Sequence, residues 1–221
     1  MPRTDSLLSS ITAELRAHIP FTFAGTLTGI AIMVLFFYVD MPRRAAELLF
    51  AAAHPGHVFV SAIATAAMFK LHSKGRLWAT LLVGYVGAIA VATLSDSIMP
   101  YLGELLLGMS DKNLHPELHL GFIEEWWLVH PLAILGGLVA YYWPRTKVPH
   151  ATHVLLSTWA SLFHMLMMTD RAGSLQPQTA LLMPLFLFLA VWLPCCSSDI
   201  IFPMLMTTGG CKTSGCPHHH H

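Results

Sequence analysis

"HPGHVFVSAIA", residues 54–64, returns as "HATHVLLSTWA" at 150–160. His, His, Val, Ser and Ala keep their places at an offset of 96 residues. Further along, "SDSIMP" (95–100) returns as "SDIIFP" (198–203) at an offset of 103. The difference falls in the loop between the two motifs, "SKG" in the first half and "TDRAGSLQPQ" in the second. Two motifs in the same order, with the mismatch confined to a loop, mark an internal duplication. Unrelated apolar helices would match by chance in Leu and Val, not in His, Asp and Pro.

The surroundings of these motifs are lipid-compatible. Of the 221 residues, 55% are apolar and 11% charged, against about 25% charged in a soluble domain. Long apolar runs then predict an all-α integral membrane protein. Six spans are predicted, at 20–39, 54–72, 77–100, 119–142, 150–168 and 179–206, each near the ~20 residues that cross the hydrocarbon. The third and sixth are overlong and carry Pro, so both are expected to break at it. Residues 44–53 read as a helical lead into the second span. Gly25 and Gly29 form a GxxxG packing face in the first.

The chain divides into an amphipathic N-terminal segment (1–19), a first three-helix repeat (20–110), a second (111–207) and a Cys/His-rich tail or tag (208–221). Three spans per repeat is an odd number, so the second copy lies inverted relative to the first. Inverted repeats are a recurring build of secondary transporters, with the substrate held where the repeats meet. Six spans place both termini on one side. Eight Lys and Arg lie on that side and four on the other, which puts the termini in the cytoplasm of an inner or plasma membrane. Twelve basic and twelve acidic residues leave no excess charge for nucleic acid; the bilayer is the expected partner, with a homodimer compatible with so compact a carrier.

The repeated residues carry the chemistry. At about 100° per residue, His54, His57, Ser61, Met68 and His72 share a narrow helix face. Their counterparts are His150, His153, Ser157, His164 and Met168. Histidines at i and i+3 can reach one ion. A proline takes the donor away from the carbonyl four residues earlier, so Pro100 bares that of Asp96 and Pro203 that of Asp199. An ionisable group within a span costs ~3 kcal/mol, a cost that function can offset. The expected ligands are His54, His57 and Asp96 on the outer side and His150, His153 and Asp199 on the cytoplasmic side. His119, Glu124 and Glu125 would add to the outer site. Met68 stands at the position equivalent to His164, and Cys195 and Cys196 replace Ala92 and Thr93, which makes the second half softer. Nitrogen, oxygen and sulfur ligands of this kind suit Zn²⁺, Fe²⁺, Mn²⁺ or Ni²⁺.

The pattern therefore predicts a secondary transporter for a divalent transition-metal cation, with proton exchange as its natural coupling because metal and protons compete for imidazole and carboxylate. Two other classes share these residues. Two His and a carboxylate are also the facial triad of iron oxygenases, although the HxxHH boxes common in intramembrane hydroxylases are absent here. His130 and His164 near mid-span would serve a bis-His haem protein.

Overall fold

The computed structural model describes residues 3–73, 76–108, 118–145, 147–167, 176–196, 202, 203 and 206. Within them the chain is helical: α1 (Arg3–Val39), α2 (Arg43–His72), α3 (Leu77–Thr93), a π turn (Leu94–Ile98), α4 (Met99–Leu107), α5 (Gly121–Glu124), α6 (Trp126–Tyr142), α7 (Lys147–Leu166) and α8 (Pro177–Cys196). Four stretches among the described residues are long and apolar enough to cross a membrane: Ile19–Val39, Arg43–His72, Leu77–Leu107 and Pro177–Cys195. α6 is apolar but shorter. These features make the protein a membrane protein.

α7 is as long as a span but less apolar, and its surroundings explain why. His153, Ser157, Thr158, Ser161 and His164 are all fully buried. Their partners are other helices rather than lipid, so the helix escapes the cost of facing hydrocarbon with polar groups. Apolar side chains take the outer surface instead: Leu106, Leu181 and Val148 are among the most exposed residues. Trp126 and Trp127 are also exposed, as an interfacial belt requires.

α2 is the hub, packed along α7, α6 and α3. Small residues permit this. A Cβ at Gly84 would sit 2.7 Å from the Ala66 Cβ, and one at Gly136 would sit 2.5 Å from the Phe59 carbonyl oxygen. Between helices in lipid, where no hydrophobic drive remains, such close backbone approach supplies the attraction. The GxxxG pair of α1 works the same way against α7, with Gly25 and Gly29 over Thr158.

The N-terminal segment continues into the first span: α1 runs unbroken through Pro20. The helical lead at 44–53 continues into the second span as one helix, starting at Arg43 and passing through Pro55. One local expectation differs from what is found: the third span does not break at Pro100. Helix continues from Leu77 to Leu107, and the irregularity is the π turn just before the proline. In that turn the Met99 N–H bonds to the Leu94 carbonyl, one residue further back than in an α-helix. The extra residue absorbs the proline without a kink large enough to end the helix. Gly108, with φ of 59°, then terminates α4 in the left-handed conformation that favours glycine. At the other proline-bearing motif, Asp199 lies outside the described residues.

Candidate metal centre

The buried carboxylate of Asp96 sits in the π turn and gathers hydrogen bonds from three elements. His54 Nδ1 and His57 Nδ1 of α2 both donate to Oδ2, at 2.9 and 2.6 Å. Ser95 Oγ and Ser157 Oγ donate to Oδ1, at 2.7 and 3.3 Å. A carboxylate deep in a span is expensive, and four donors offset that cost.

The backbone of the π turn is used as well. Because Met99 reaches back to Leu94, the Ser95 carbonyl loses its helical donor, and Ser161 Oγ takes it at 2.7 Å. Pro100 cannot donate to the Asp96 carbonyl, and the ring of His164 lies against that oxygen. A π turn followed by proline thus bares two successive carbonyls; Ser161 of α7 bonds the first, and the ring of His164 lies beside the second. Bulges of this type recur at functional sites because they release such groups.

The two HxxH motifs meet. The rings of His57 and His153 stack with centroids 4.6 Å apart and planes 29° apart. Cys195 of α8 comes to the same point, with Sγ 3.6 Å from Ser157 Oγ, and it is in no disulfide. His57, His153 and Cys195 each bring one ligand atom within 4.8 Å of the others, and all three are buried. In a tetrahedral zinc site, nitrogen and sulfur ligands would stand about 3.3–3.6 Å apart. Closing on an ion therefore asks the ligand atoms, carried by three helices, to approach one another by up to about 1.5 Å.

Asp96 fixes which nitrogen of His57 is left to bind an ion. With Nδ1–H held by the carboxylate, Nε2 carries the lone pair, and it has no hydrogen-bond partner. A carboxylate behind an imidazole is the usual outer support of a metal-binding histidine. Asp96 is thus placed behind the imidazoles rather than beside them as a further ligand.

The arrangement differs from two separate half-sites at opposite depths. α2 starts eleven residues before His54, so its HxxH motif lies in mid-helix, where α7 crosses. His57 comes to the centre from the first half of the sequence, His153 and Cys195 from the second. His54 is oriented by the same carboxylate but closed off. Phe50 stacks on its ring at 5.3 Å, and the Gly121 backbone lies so close to Nε2 that a Cβ there would collide with it. His150 is half-buried and meets His153 edge to face at 6.1 Å.

The remaining predicted residues fall elsewhere. His164 Nε2 stands 3.5 Å from Glu104 Oε1, with both side chains fully buried. The His119 ring lies 5.7 Å from that of His164. His119 Nδ1 in turn bonds Glu124 Oε2 at 3.0 Å, at the surface. Glu125 is half-buried beside them. Met68 is half-buried in α2. His130, the other haem candidate, pairs through Nδ1 with Tyr85 Oη at 3.0 Å. Cys196 belongs to α8, but its side chain is outside the described residues, as is Asp199.

Glu104 is the functional candidate that the sequence pattern did not single out. The signal was present: positions 96, 100 and 104 share one helix face at i, i+4 and i+8, provided the helix survives Pro100. No protein family model, curated protein or solved structure matches the chain, so its function rests on this geometry.

Proposed function

We propose that the protein is a carrier for a divalent transition-metal cation, spanning the membrane six times as two inverted three-helix repeats with both termini in the cytoplasm. The observation that supports this most is the contact between His57 and His153. They are equivalent positions of the two sequence repeats, and their rings stack at 4.6 Å. Residues related by an inverted repeat touch only at the repeat interface, which is where such carriers hold substrate.

The donor set supports the chemistry. Two imidazoles and a thiol suit Zn²⁺ and other borderline or soft ions, and are poor partners for Mg²⁺ or Ca²⁺. The fourth position stays open to water or another ligand, as a site that must release its ion requires. The 2-His-1-carboxylate enzyme reading is weaker on this geometry, because Asp96 spends Oδ2 on the two Nδ1–H groups instead of presenting it beside them.

Proton exchange follows from the ligands. An ion binds neutral imidazole and thiolate, so loading releases protons and protonation favours release. Purified protein in proteoliposomes tests the reading: Zn²⁺, Fe²⁺, Mn²⁺ and Ni²⁺ are each offered against a gradient at two pH values. Uptake of at least one of them above protein-free vesicles is expected. Vesicles that move none of the panel in either direction at either pH would refute it.

A further inference from the structure

Glu104 and His164 face each other in the interior without a hydrogen bond to any described side chain. Both side chains are fully buried. Neither oxygen of Glu104 and neither ring nitrogen of His164 has a hydrogen-bond partner among the described residues. Buried groups of this kind are nearly always paired, and an exception calls for a ligand or a function.

The spacing between them indicates the kind of ligand. His164 Nε2 to Glu104 Oε1 is 3.5 Å. A charge-assisted hydrogen bond between these atoms would be about 2.7–2.9 Å. Two ligands of one tetrahedral ion, each about 2.0–2.1 Å from it, stand about 3.3 Å apart. The pair is therefore too open for a hydrogen bond and close to the separation that a shared cation imposes.

Position also matters. His164 lies eleven residues beyond His153 on α7, about 16 Å along the helix axis, so the pair is separate from the His57–His153–Cys195 centre. It lies between that centre and the surface, where the ring of His119 contacts that of His164 and itself bonds exposed Glu124. On its inner flank is the bared carbonyl of Asp96.

We propose that Glu104 and His164 form a second cation station on the same path, taking a divalent transition metal through one oxygen and one nitrogen on its way to or from the sulfur-containing centre. The proposal rests on the carrier reading above and adds the staging of the ion. The station is harder than the centre, because it has carboxylate in place of thiol. An entering ion is thus handed from a weaker oxygen–nitrogen site to a tighter sulfur–nitrogen site. Two sites in series let an ion leave the strong one when the next arrives.

Co²⁺ binding to the full-length protein in detergent tests this. Bound cobalt is counted per chain, and the thiolate-to-cobalt charge-transfer band is recorded alongside. The expected result is one more Co²⁺ in the wild type than in Glu104→Gln and in His164→Gln, with the thiolate band intact in both variants. All proteins carry serine at Cys211 and Cys216, so that the part of the band that Cys195→Ser removes also shows that each variant is folded at the centre, and the terminal histidines contribute equally to all of them. Equal cobalt counts in the wild type and both variants would overturn the second station while leaving the centre standing. A Glu104-dependent ion without any band that Cys195→Ser removes would support the station and refute the centre.

Discussion

His57 of the first repeat and His153 of the second stack ring on ring at 4.6 Å, and the Asp96 carboxylate holds the first of them by its Nδ1–H at 2.6 Å. One residue thus orients a ligand that a different repeat completes.

Replacing Asp96 by Asn removes the acceptor shared by His54 and His57 and offers a competing N–H. The imidazoles lose their tautomer and orientation but remain in place. Loss of such an outer partner typically costs 10–100-fold in metal affinity, and a drop of about that size is expected in zinc binding by competition titration. Asp96→Ala should do more harm, because it leaves two buried N–H groups without any acceptor, at about 1–3 kcal/mol each.

Cys195→Ser exchanges the soft ligand for a hard one of similar shape. Affinity for Cd²⁺ and Zn²⁺ should fall by at least about tenfold, or about 1.4 kcal/mol, while Mn²⁺ should lose little. The ratio of Cd²⁺ to Mn²⁺ binding constants reads this directly, and it separates a ligand from a packing residue, whose loss would weaken all ions alike.

Gly121→Ala tests the fit around His54. The added Cβ would run into His54 Nε2, so either the ring moves off Asp96 or α5 shifts away. Overpacking of this kind costs about 1–3 kcal/mol, and a lower thermal transition in detergent is expected. A smaller effect is expected at Gly29, where a Cβ would meet the Thr158 methyl at 3.4 Å, an ordinary contact.

Metal affinity should fall as pH falls. The ion binds neutral imidazole and deprotonated thiol, so every proton that returns to these groups competes with it. Affinity is highest on the alkaline side and declines as the medium is acidified. Zinc titrations at pH 5.5 and 7.5 should differ in that direction, with protons released to an unbuffered solution on binding at the higher value.

The residues that form the centre were legible because they repeat. His57 and His153 stood out by their matching places in two HxxH motifs, and Cys195 as a substitution within the second copy. The meeting of the two motifs was not legible, since their depth depends on where α2 begins. The sequence places the span from His54 onward with 44–53 as a lead, whereas one helix runs from Arg43 through Pro55. Glu104 stayed hidden for a related reason. Proline ordinarily ends a helix, yet here helix continues past Pro100 to Leu107 and carries Glu104 with it. Hydropathy likewise could not reveal that the polar face of α7 is packed against protein on every side.

The central claim is that His57, His153 and Cys195 hold the transported ion. Zinc K-edge X-ray absorption tests it on protein with Cys211 and Cys216 replaced by serine and His218–His221 removed. The account predicts one sulfur at about 2.3 Å together with imidazole nitrogens at about 2.0 Å, and loss of the sulfur shell in Cys195→Ser. Coordination by oxygen alone, or a sulfur shell unchanged by Cys195→Ser, would contradict it.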